Sequence, residues 1–444
     1  MDAFWPTFQR RKPEPPDFAE DAARKKSVRM KIPETVVLPL QDAPDDPFEV
    51  FVNAGDRVKS GQRIGIMGKA PEHIAVHASI SGEVTEVKPM LHPLGHHASS
   101  VVISSDGEEG KADMKPFSEA GLSDVFEFFR EMGIPLDYSS INSVSTLLIN
   151  VTEFDPYISS KERIILEEGE KFTEGLKVFL KASGAKKAVI VIEKKQTSLN
   201  SALKDTCRKI PEAEIHEVDR PYPDTIQELI RQKVLFENKD VKKDSGADTT
   251  MVMEPGIAVA VYNAYFLGIP FTQQLVTVAG SGIQTQQTMW VKCGTPLLQI
   301  ILQSGGNVSS LGRVTLGGTL IGIPQHSLEV PLIKKARGLF VAVALVFDEH
   351  RRSRFYQRSP CVRCGKCVDV CPACIIPNMV ADFIENRRFD ETEELGIFSC
   401  LECGLCYYVC PSQIPLVELI KLGKVKLKGS AGLLTLNSYR TLSS

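Results

Sequence analysis

Eight of the eleven cysteines in this chain fall in two runs near the C-terminus, and both runs have the same spacing. The first reads C-V-R-C-G-K-C-V-D-V-C-P and the second reads C-L-E-C-G-L-C-Y-Y-V-C-P. Each is therefore C-x2-C-x2-C-x3-C-P. Thiolates at this spacing are ligands of iron–sulfur clusters. The residues thus predict 4Fe-4S clusters and the transfer of single electrons.

The spacing also predicts which cysteines share a cluster. In two-cluster ferredoxins with this pattern, the fourth cysteine of each run binds the cluster held by the other run. We therefore assign one cluster to Cys361, Cys364, Cys367 and Cys410, and the other to Cys400, Cys403, Cys406 and Cys371. Gly365 and Gly404 lie inside the loops, where a missing Cβ lets backbone N–H groups approach the sulfurs.

Disulfides and zinc are the competing interpretations of these cysteines. A disulfide framework is typical of short secreted chains, whereas this chain has 444 residues. Zinc needs four ligands per site but gives no reason for the repeated spacing. The remaining cysteines, Cys374, Cys207 and Cys293, are expected to be small buried apolar residues rather than ligands.

Composition and charge narrow the class of protein. Lys and Arg number 52 against 55 Asp and Glu, so a net charge of −3 gives no reason to expect nucleic-acid binding. The apolar run at 338–347 is about half as long as a membrane-spanning helix and is expected to form a buried strand. The first residues do not resemble a secretory signal, so we expect the thiols to be in a reducing cytoplasm.

The chain before the cysteine loops changes from a β-rich pattern to alternating strands and helices. Short β-runs separated by turn residues occupy 33–105, and two of them, at 53–64 and 76–87, resemble the half-motifs of a barrel-sandwich domain. Strands predicted at 146–150, 188–192 and 215–218 alternate with helices predicted at 160–182, 200–210 and 224–234. Such alternation predicts a parallel α/β layer.

Taken in order, these segments resemble the C subunit of Rnf-type ion-translocating electron transport complexes. That family is similar in its central part to the flavin-bearing subunit of respiratory complex I and to cobalamin reductases of bacterial microcompartments. The resemblance rests on V-H-A-S-I-S-G-E-V, I-N-V-T-E-F-D-P-Y, V-T-V-A-G, G-G-T-L-I-G and the tandem cysteine motif, in that order.

The resemblance implies a multidomain fold of α/β and β units. We expect an extended segment (1–32), a barrel-sandwich-like β domain (33–110) and a Rossmann-like α/β domain (111–270). A ubiquitin-like β-grasp region of the SLBB type (271–350) and an α-helical dicluster ferredoxin domain with a C-terminal helix (351–444) should follow.

The sequence departs from the family where a flavin would bind. NADH-reacting members carry a glycine-rich loop just before the strand that ends at Asn150, and such a loop holds the FMN phosphate with backbone N–H groups. Here Gly133 is the only glycine of that stretch, and Asp137 would repel a phosphate. Residues 254–257 and 221–226 also differ from the family pattern, while Asn150 and Glu153 are retained and Asp155 replaces a second acid. We therefore expect no FMN and no reaction with NAD(H).

The resemblance implies a peripheral subunit on the cytoplasmic side of the membrane, with the other subunits of an Rnf-type complex and a ferredoxin-like electron donor as partners. Two alternatives stay open. The chain could retain FMN in an altered pocket as part of an NADH:ferredoxin oxidoreductase, or it could be a soluble module that resembles cobalamin reductases or serves in assembly.

Three further segments carry chemistry that the sequence alone leaves open. Basic residues before and inside the first run could steer an acidic ferredoxin or form a solvated face; they are Arg351, Arg352, Arg354, Arg358, Arg363 and Lys366. The apolar and basic tail at 414–428 is expected to pack on the ferredoxin-like domain rather than dock on a membrane. His92, His96 and His97 are expected to form a solvated turn rather than a metal site.

Overall fold

The structure is a computed structural model that describes residues 25–428 with gaps. The gaps are at 70–72, 109, 111, 118–123, 139–140, 142–143, 154–157, 195, 220–228, 232–233, 235–249, 281, 319, 321, 334–342 and 349–357. Most of the helix predicted at 224–234 and part of the basic segment before the first cysteine run therefore lie outside the described residues. Within the described ranges, no helix has both the length and the apolar character needed to cross a membrane.

The N-terminal β domain consists of two antiparallel sheets that pack against each other. One sheet has the order β2-β8-β7-β4 and the other β3-β5-β6. Their strands are β2 (Thr35–Pro39), β3 (Phe48–Val50), β4 (Arg57–Val58), β5 (Arg63–Met67), β6 (Ile74–His77), β7 (Gly82–Leu91) and β8 (His97–Ser105). Buried aliphatic side chains from both sheets, among them Val36, Ile64 and Val101, form one core.

The central domain has the parallel sheet that the alternating pattern predicted. Its order is β11-β10-β9-β12, and all three pairings are parallel. The strands are β9 (Thr146–Asn150), β10 (Lys187–Glu193), β11 (Ala213–Val218) and β12 (Thr250–Met253). β9 is buried at every position because the sheet is covered on both faces.

Helices flank this sheet, and one of them differs from the prediction. The helices are α1 (Val125–Glu131), α2 (Ser160–Glu167), α3 (Gly169–Ser183), α4 (Thr197–Lys209) and α5 (Pro255–Leu267). The single helix predicted at 160–182 is wrong, since the chain leaves helical geometry at Glu168 (φ −119°, ψ 25°) and starts again as α3. Gly175 of α3 lies against the backbone of α5, where a Cβ would stand 1.8 Å from the Ala258 carbonyl oxygen.

A mixed sheet joins the central domain to the C-terminal region. Its order is β1-β14-β13-β17-β15-β16, and β17 runs parallel to β13 and antiparallel to β15. The elements are β1 (Val28–Arg29), β13 (Gln273–Ala279), β14 (Gln287–Lys292), α6 (Leu297–Gln303), β15 (Leu311–Leu316), β16 (Ile323–Gln325) and β17 (Val343–Asp348). This arrangement is the one we expect of a β-grasp unit: two hairpins, a helix between them and a central parallel strand. The SLBB assignment and the domain boundaries stay predictions.

The C-terminal region is built from short helices around the two cysteine loops. They are α7 (Lys366–Asp369), α8 (Pro377–Glu385), α9 (Glu391–Glu394), α10 (Leu405–Tyr408) and α11 (Leu416–Lys428). α11 packs along α8 through Leu416 and Ile420, which are both buried. The prediction that the tail helix packs on this domain is therefore confirmed.

Candidate functional site

The two cysteine runs are two copies of one structural unit. α10 begins 39 positions after α7 (405 and 366), and α11 begins 39 positions after α8 (416 and 377). In both copies, a loop with three cysteines leads into a four-residue helix, and the fourth cysteine precedes a longer helix. The repeat in sequence is thus a repeat in structure.

The backbone of the two loops matches residue by residue. Gly365 and Gly404 have φ values of 76° and 74°, and Arg363 and Glu402 have φ values of 52° and 54°. All four lie in the left-handed region, which costs a residue with a Cβ about 1–2 kcal/mol. The same backbone conformation is thus held in both copies despite that cost. Burial raises the pKa of the Cys367 and Cys406 thiols, and hydrogen bonds from the N–H groups of Val368 and Tyr407 offset part of that rise.

The packing brings the fourth cysteine of the first run to the second loop. Cys371 packs in one apolar cluster with Cys400. Burial raises the pKa values of Cys400, Cys403 and Cys406, and negative charge on Cys371 raises them further. Cys371 therefore lies beside the loop to which the sequence assigned it.

The reciprocal arrangement holds for the first loop. Cys410 packs in one cluster with Cys367, and Cys406 contributes to the same cluster at the boundary between the two loops. Burial raises the pKa of Cys367, and negative charge on Cys410 and Cys364 raises it further. Of the eight predicted ligands, Cys361 and Cys364 are exposed, Cys371 and Cys410 are partly buried, and Cys367, Cys400, Cys403 and Cys406 are buried.

The donor set fits a cluster better than a single ion. Among the described residues, no group of three or more His, Cys, Asp or Glu side chains is arranged to hold one metal ion. A tetrahedral zinc with bonds of about 2.3 Å would draw its thiolates to within about 4 Å of one another. A cube of four irons and four sulfides separates its ligands further. Four thiolates per site, with N–H groups directed at the sulfurs, suit such a cube.

Metal binding at these sites must displace protons. Burial raises the pKa of the Cys400 thiol to about 11 and that of Cys403 to about 12. Unliganded thiols at these positions are thus protonated at neutral pH, and a metal that binds their thiolates releases the protons.

Lys424 is a buried lysine for which the sequence predicted no role, and its hydrogen bonds hold the second loop in place. Lys424 on α11 donates from Nζ to the Cys400 carbonyl oxygen at 2.7 Å and to Glu402 Oε1 at 2.8 Å. It thereby ties the start of the loop and the left-handed residue to the last helix. Because Lys424 lies among apolar residues of α11, its burial could have been predicted from the sequence. Lysines of amphipathic helices are usually solvated, however, so the pattern alone did not indicate it.

Of the three other cysteines, Cys293 is buried as predicted and Cys207 is partly buried. The prediction for Cys374 is wrong. This residue is exposed and has a φ of 53°, because it occupies the tight turn after the fourth cysteine, where Gln413 of the second copy has a φ of 49°. The turn, rather than apolar packing, fixes its position.

The solvated turn that the sequence predicted is wrong for His92, whereas His96 is half-buried and His97 is exposed. His92 is only 1% exposed, and its ring stacks on His96 with centroids 4.7 Å apart. Burial first, and then the neighbouring His96, lower the pKa of His92 to about 3. Nδ1 accepts a hydrogen bond from the Leu94 N–H at 3.2 Å, so neutral His92 carries its proton on Nε2 and offers a metal no lone pair there.

The central domain holds a second group of charged side chains beyond the carboxyl ends of β9 and β12. Glu153 Oε1 accepts hydrogen bonds from the N–H groups of Lys161 and Glu162 at 2.7 and 3.3 Å. Lys161 Nζ donates to the Thr152 carbonyl oxygen at 3.0 Å and lies 3.7 Å from Glu254 Oε1. Burial raises the pKa of Glu153 to about 7.

Models of known families match three parts of the chain. The RnfC barrel sandwich hybrid domain matches residues 14–108, the Nuo51 FMN-binding domain matches 131–262, and a 4Fe-4S dicluster domain matches 359–414. These confirm the barrel-sandwich domain, the central domain and the C-terminal dicluster domain in the predicted order.

Curated relatives match over most of the chain. The C subunit of the ion-translocating oxidoreductase complex of Yersinia enterocolitica is 27% identical over 430 residues, which cover 93% of this chain and 61% of the relative. The C subunit of the Na(+)-translocating ferredoxin:NAD(+) oxidoreductase complex of Acetobacterium woodii is 28% identical over 386 residues, which cover 82% of this chain and 84% of the relative. This chain thus spans less than two thirds of the Yersinia relative's length. In its sequence and in the order of its domains, the chain is related to the C subunit of Rnf-type ion-translocating electron transport complexes.

Proposed function

We propose that this chain is the peripheral, cytoplasmic electron-transfer subunit of a membrane-bound Rnf-type complex. It relays single electrons through two 4Fe-4S clusters, and the complex couples this transfer, with a ferredoxin-like donor, to ion movement. The observation that carries the proposal is the packing of Cys371 beside Cys400 and of Cys410 beside Cys367 in two structurally equivalent loops. The names of the relatives, which describe ion translocation and in one case ferredoxin, support the assembly and the donor.

In this proposal one cluster is held by Cys361, Cys364, Cys367 and Cys410, and the other by Cys400, Cys403, Cys406 and Cys371. The fourth cysteine of each run would bring the ligand sets of both clusters together in one small domain. An electron can therefore pass from one to the other without a mobile carrier. The chain's own contribution is to fix the two ligand sets and to shield the second one from water.

The proposal includes no flavin, and the first reason is the segment before β9. A flavin phosphate needs a nest of free backbone N–H groups in an open loop. The described residues of the stretch in that position instead pack into the hydrophobic core, where Ile134, Leu136, Ile141 and Val144 are buried. Tyr138 is buried as well, and its hydroxyl donates to the Ile134 carbonyl oxygen at 2.8 Å.

The second reason is the space and charge beside β9 and β12. A cavity of about 110 Å³ lies there, lined by Ser160, Lys161 and Glu254 among others, whereas pockets for ligands of this kind measure about 300–1,000 Å³. The first N–H groups of α2, which could receive a phosphate, are already bonded to the Glu153 carboxylate. Of the described residues that line the cavity, the charged ones are Glu254 and Lys161, so the positive charge that a phosphate needs is already offset by a carboxylate.

The second candidate function retains the flavin. The match of residues 131–262 to the Nuo51 FMN-binding domain favours it, because the scaffold on which FMN sits in that family is present. On this alternative the chain binds FMN in an altered pocket and exchanges hydride with NADH, and the flavin splits the electron pair for the clusters.

Counting cofactors in one preparation separates the two candidates. The chain is produced anaerobically with its iron–sulfur clusters, and iron, sulfide and flavin are measured per chain. We expect about eight iron atoms per chain from two four-iron cubes, no flavin, and no change of the visible spectrum with NADH. Stoichiometric FMN that is bleached by NADH would favour the second candidate, and about four irons would reject the two-cluster relay.

A further inference from the structure

The two loops of the repeat differ in what covers them. The second loop packs against Leu320, in the connection between β15 and β16: a Cβ on Gly404 would stand 2.3 Å from the Leu320 carbonyl oxygen, and Leu401 is 9% exposed. Next to this contact, Glu418 at the start of α11 pairs with Arg313 of β15 at 2.9 Å. One face of the second copy is thus a protein–protein contact within the chain.

The equivalent face of the first copy is bare among the described residues. Val362, at the position of Leu401, is 65% exposed, and a Cβ on Gly365, at the position of Gly404, would meet nothing within 4 Å. Met379 stands where Glu418 stands in the other copy and is 39% exposed. We call Val362, Gly365 and Met379, with Arg363 and Lys366 between them, the open face.

The charges of the open face differ from those of its covered counterpart. Arg363 and Lys366 occupy the positions of Glu402 and Leu405, and the loop at 359–366 carries these two positive charges and no acidic residue. Both side chains are exposed. A partner with an acidic rim around an apolar centre complements such a surface.

From this comparison we propose that the open face is the docking surface for an acidic electron-carrier protein, and that electrons enter the chain at the first-run cluster. The inference rests on the proposed function and adds the place and the direction of electron transfer between the carrier and this chain. One electron passes from the reduced iron–sulfur cluster of the carrier to the cluster held by the first run; no bond forms or breaks, and no proton moves. Cys361 and Cys364 are exposed on this side, whereas the second loop is shielded by the sheet.

A protein carrier fits this surface better than a lipid surface does. Electron transfer requires that a second redox centre approach the exposed ligands, and a bilayer supplies none. The described part of the face offers two positive charges, while stable attachment to anionic lipids takes a cluster of basic residues. Its apolar centre is a loop and one methionine rather than an apolar helix face.

The repeat itself supplies the test variants. Arg363→Glu and Met379→Glu each introduce the residue that the second copy carries at the same position, and Glu402 already adopts the left-handed backbone that position 363 requires. Both variants should therefore fold and keep their clusters. Lys204→Glu reverses an exposed lysine on α4 of the central domain and is the matched control.

The experiment uses the cluster-loaded chain and an acidic two-cluster bacterial ferredoxin as probe. At low salt we expect Arg363→Glu and Met379→Glu to weaken ferredoxin binding and slow reduction of the chain by about tenfold each, while Lys204→Glu matches the wild type. Ferredoxin should also protect amides 359–366 from hydrogen exchange. Wild-type rates and affinity in both variants, or no binding by the wild type, would overturn the docking surface and leave the cluster count as the separate test of the proposed function. Binding of the wild type, but not of Arg363→Glu, to vesicles of anionic lipid, with unchanged ferredoxin kinetics, would overturn it in favour of a membrane contact.

Discussion

At the scale of single residues, the spacing predicts the ligands and their pairing, and the packing of the domain brings cysteines from different runs together. Cys371 belongs to the first run in sequence but lies with Cys400 in the second loop, and Cys410 lies with Cys367. In the proposed ligand assignment, each cluster site draws on both halves of the domain. Loss of one fourth cysteine should therefore damage the site of the other run.

Double substitutions test this crossed pairing. Cys371→Ser combined with Cys403→Ser removes two ligands of one site, so we expect about half of the iron to remain. Cys371→Ser combined with Cys364→Ser removes one ligand from each site and should affect both clusters. Iron analysis and electron paramagnetic resonance of the reduced proteins provide the measurement. If the second pair, rather than the first, leaves one cluster intact, the ligands are not exchanged.

At the scale of elements, the repeat places the same short helix and turn in two different surroundings. Gly365 and Gly404 have nearly the same φ, but only Gly404 touches the mixed sheet. The pair therefore separates the cost of the backbone conformation from the cost of the contact.

Alanine at each position measures the two costs. Gly365→Ala should lower the free energy of unfolding by about 1–2 kcal/mol, because alanine is strained in the left-handed region. Gly404→Ala bears the same strain, and its Cβ must also displace the Leu320 backbone, so it should lose cluster absorbance at a clearly lower temperature. Equal midpoints for cluster loss in the two variants would mean that the contact with Leu320 contributes nothing to stability.

At the scale of the whole molecule, the C-terminal domain is held against the mixed sheet by few described contacts. One is the Leu320 segment at Gly404, and another is the ion pair between Arg313 and Glu418, whose side chains are 16% and 27% exposed. Because both partners are partly withdrawn from water, this pair should contribute more than a solvated one.

Glu418→Gln tests that contribution. Removing the carboxylate charge should weaken the contact between β15 and α11 by about 2 kcal/mol of interaction free energy. The hydrogen-exchange rate of amides in both elements should therefore rise. Asp205→Asn is the control, since Asp205 and Arg208 form an ion pair with side chains 68% and 78% exposed, and little change is expected there. Unchanged exchange in β15 after Glu418→Gln would show that the domains are held together elsewhere.

Much of the architecture follows from local sequence pattern. The strands at 146–150 and 188–192 are nearly continuous apolar runs because both faces of a parallel sheet are covered, and they are found as β9 and β10. The cysteine spacing likewise gave the ligand loops and their repeat. Apolar periodicity did not predict the break at Glu168, since both α2 and α3 keep an apolar face across it.

The sequence by itself determined the predicted chemistry: eight cysteines at a repeated spacing identify the proposed cluster ligands, and the match of 359–414 to a 4Fe-4S dicluster domain agrees with them. Only the tertiary structure decided which loop is covered, that Lys424 braces the buried loop, that Cys374 is exposed and that His92 is buried. The physical reason is that spacing and periodicity are properties of neighbouring residues, whereas burial depends on which distant segment packs against them. Two loops of nearly identical sequence pattern therefore have opposite surroundings, and that difference makes the first loop the open one.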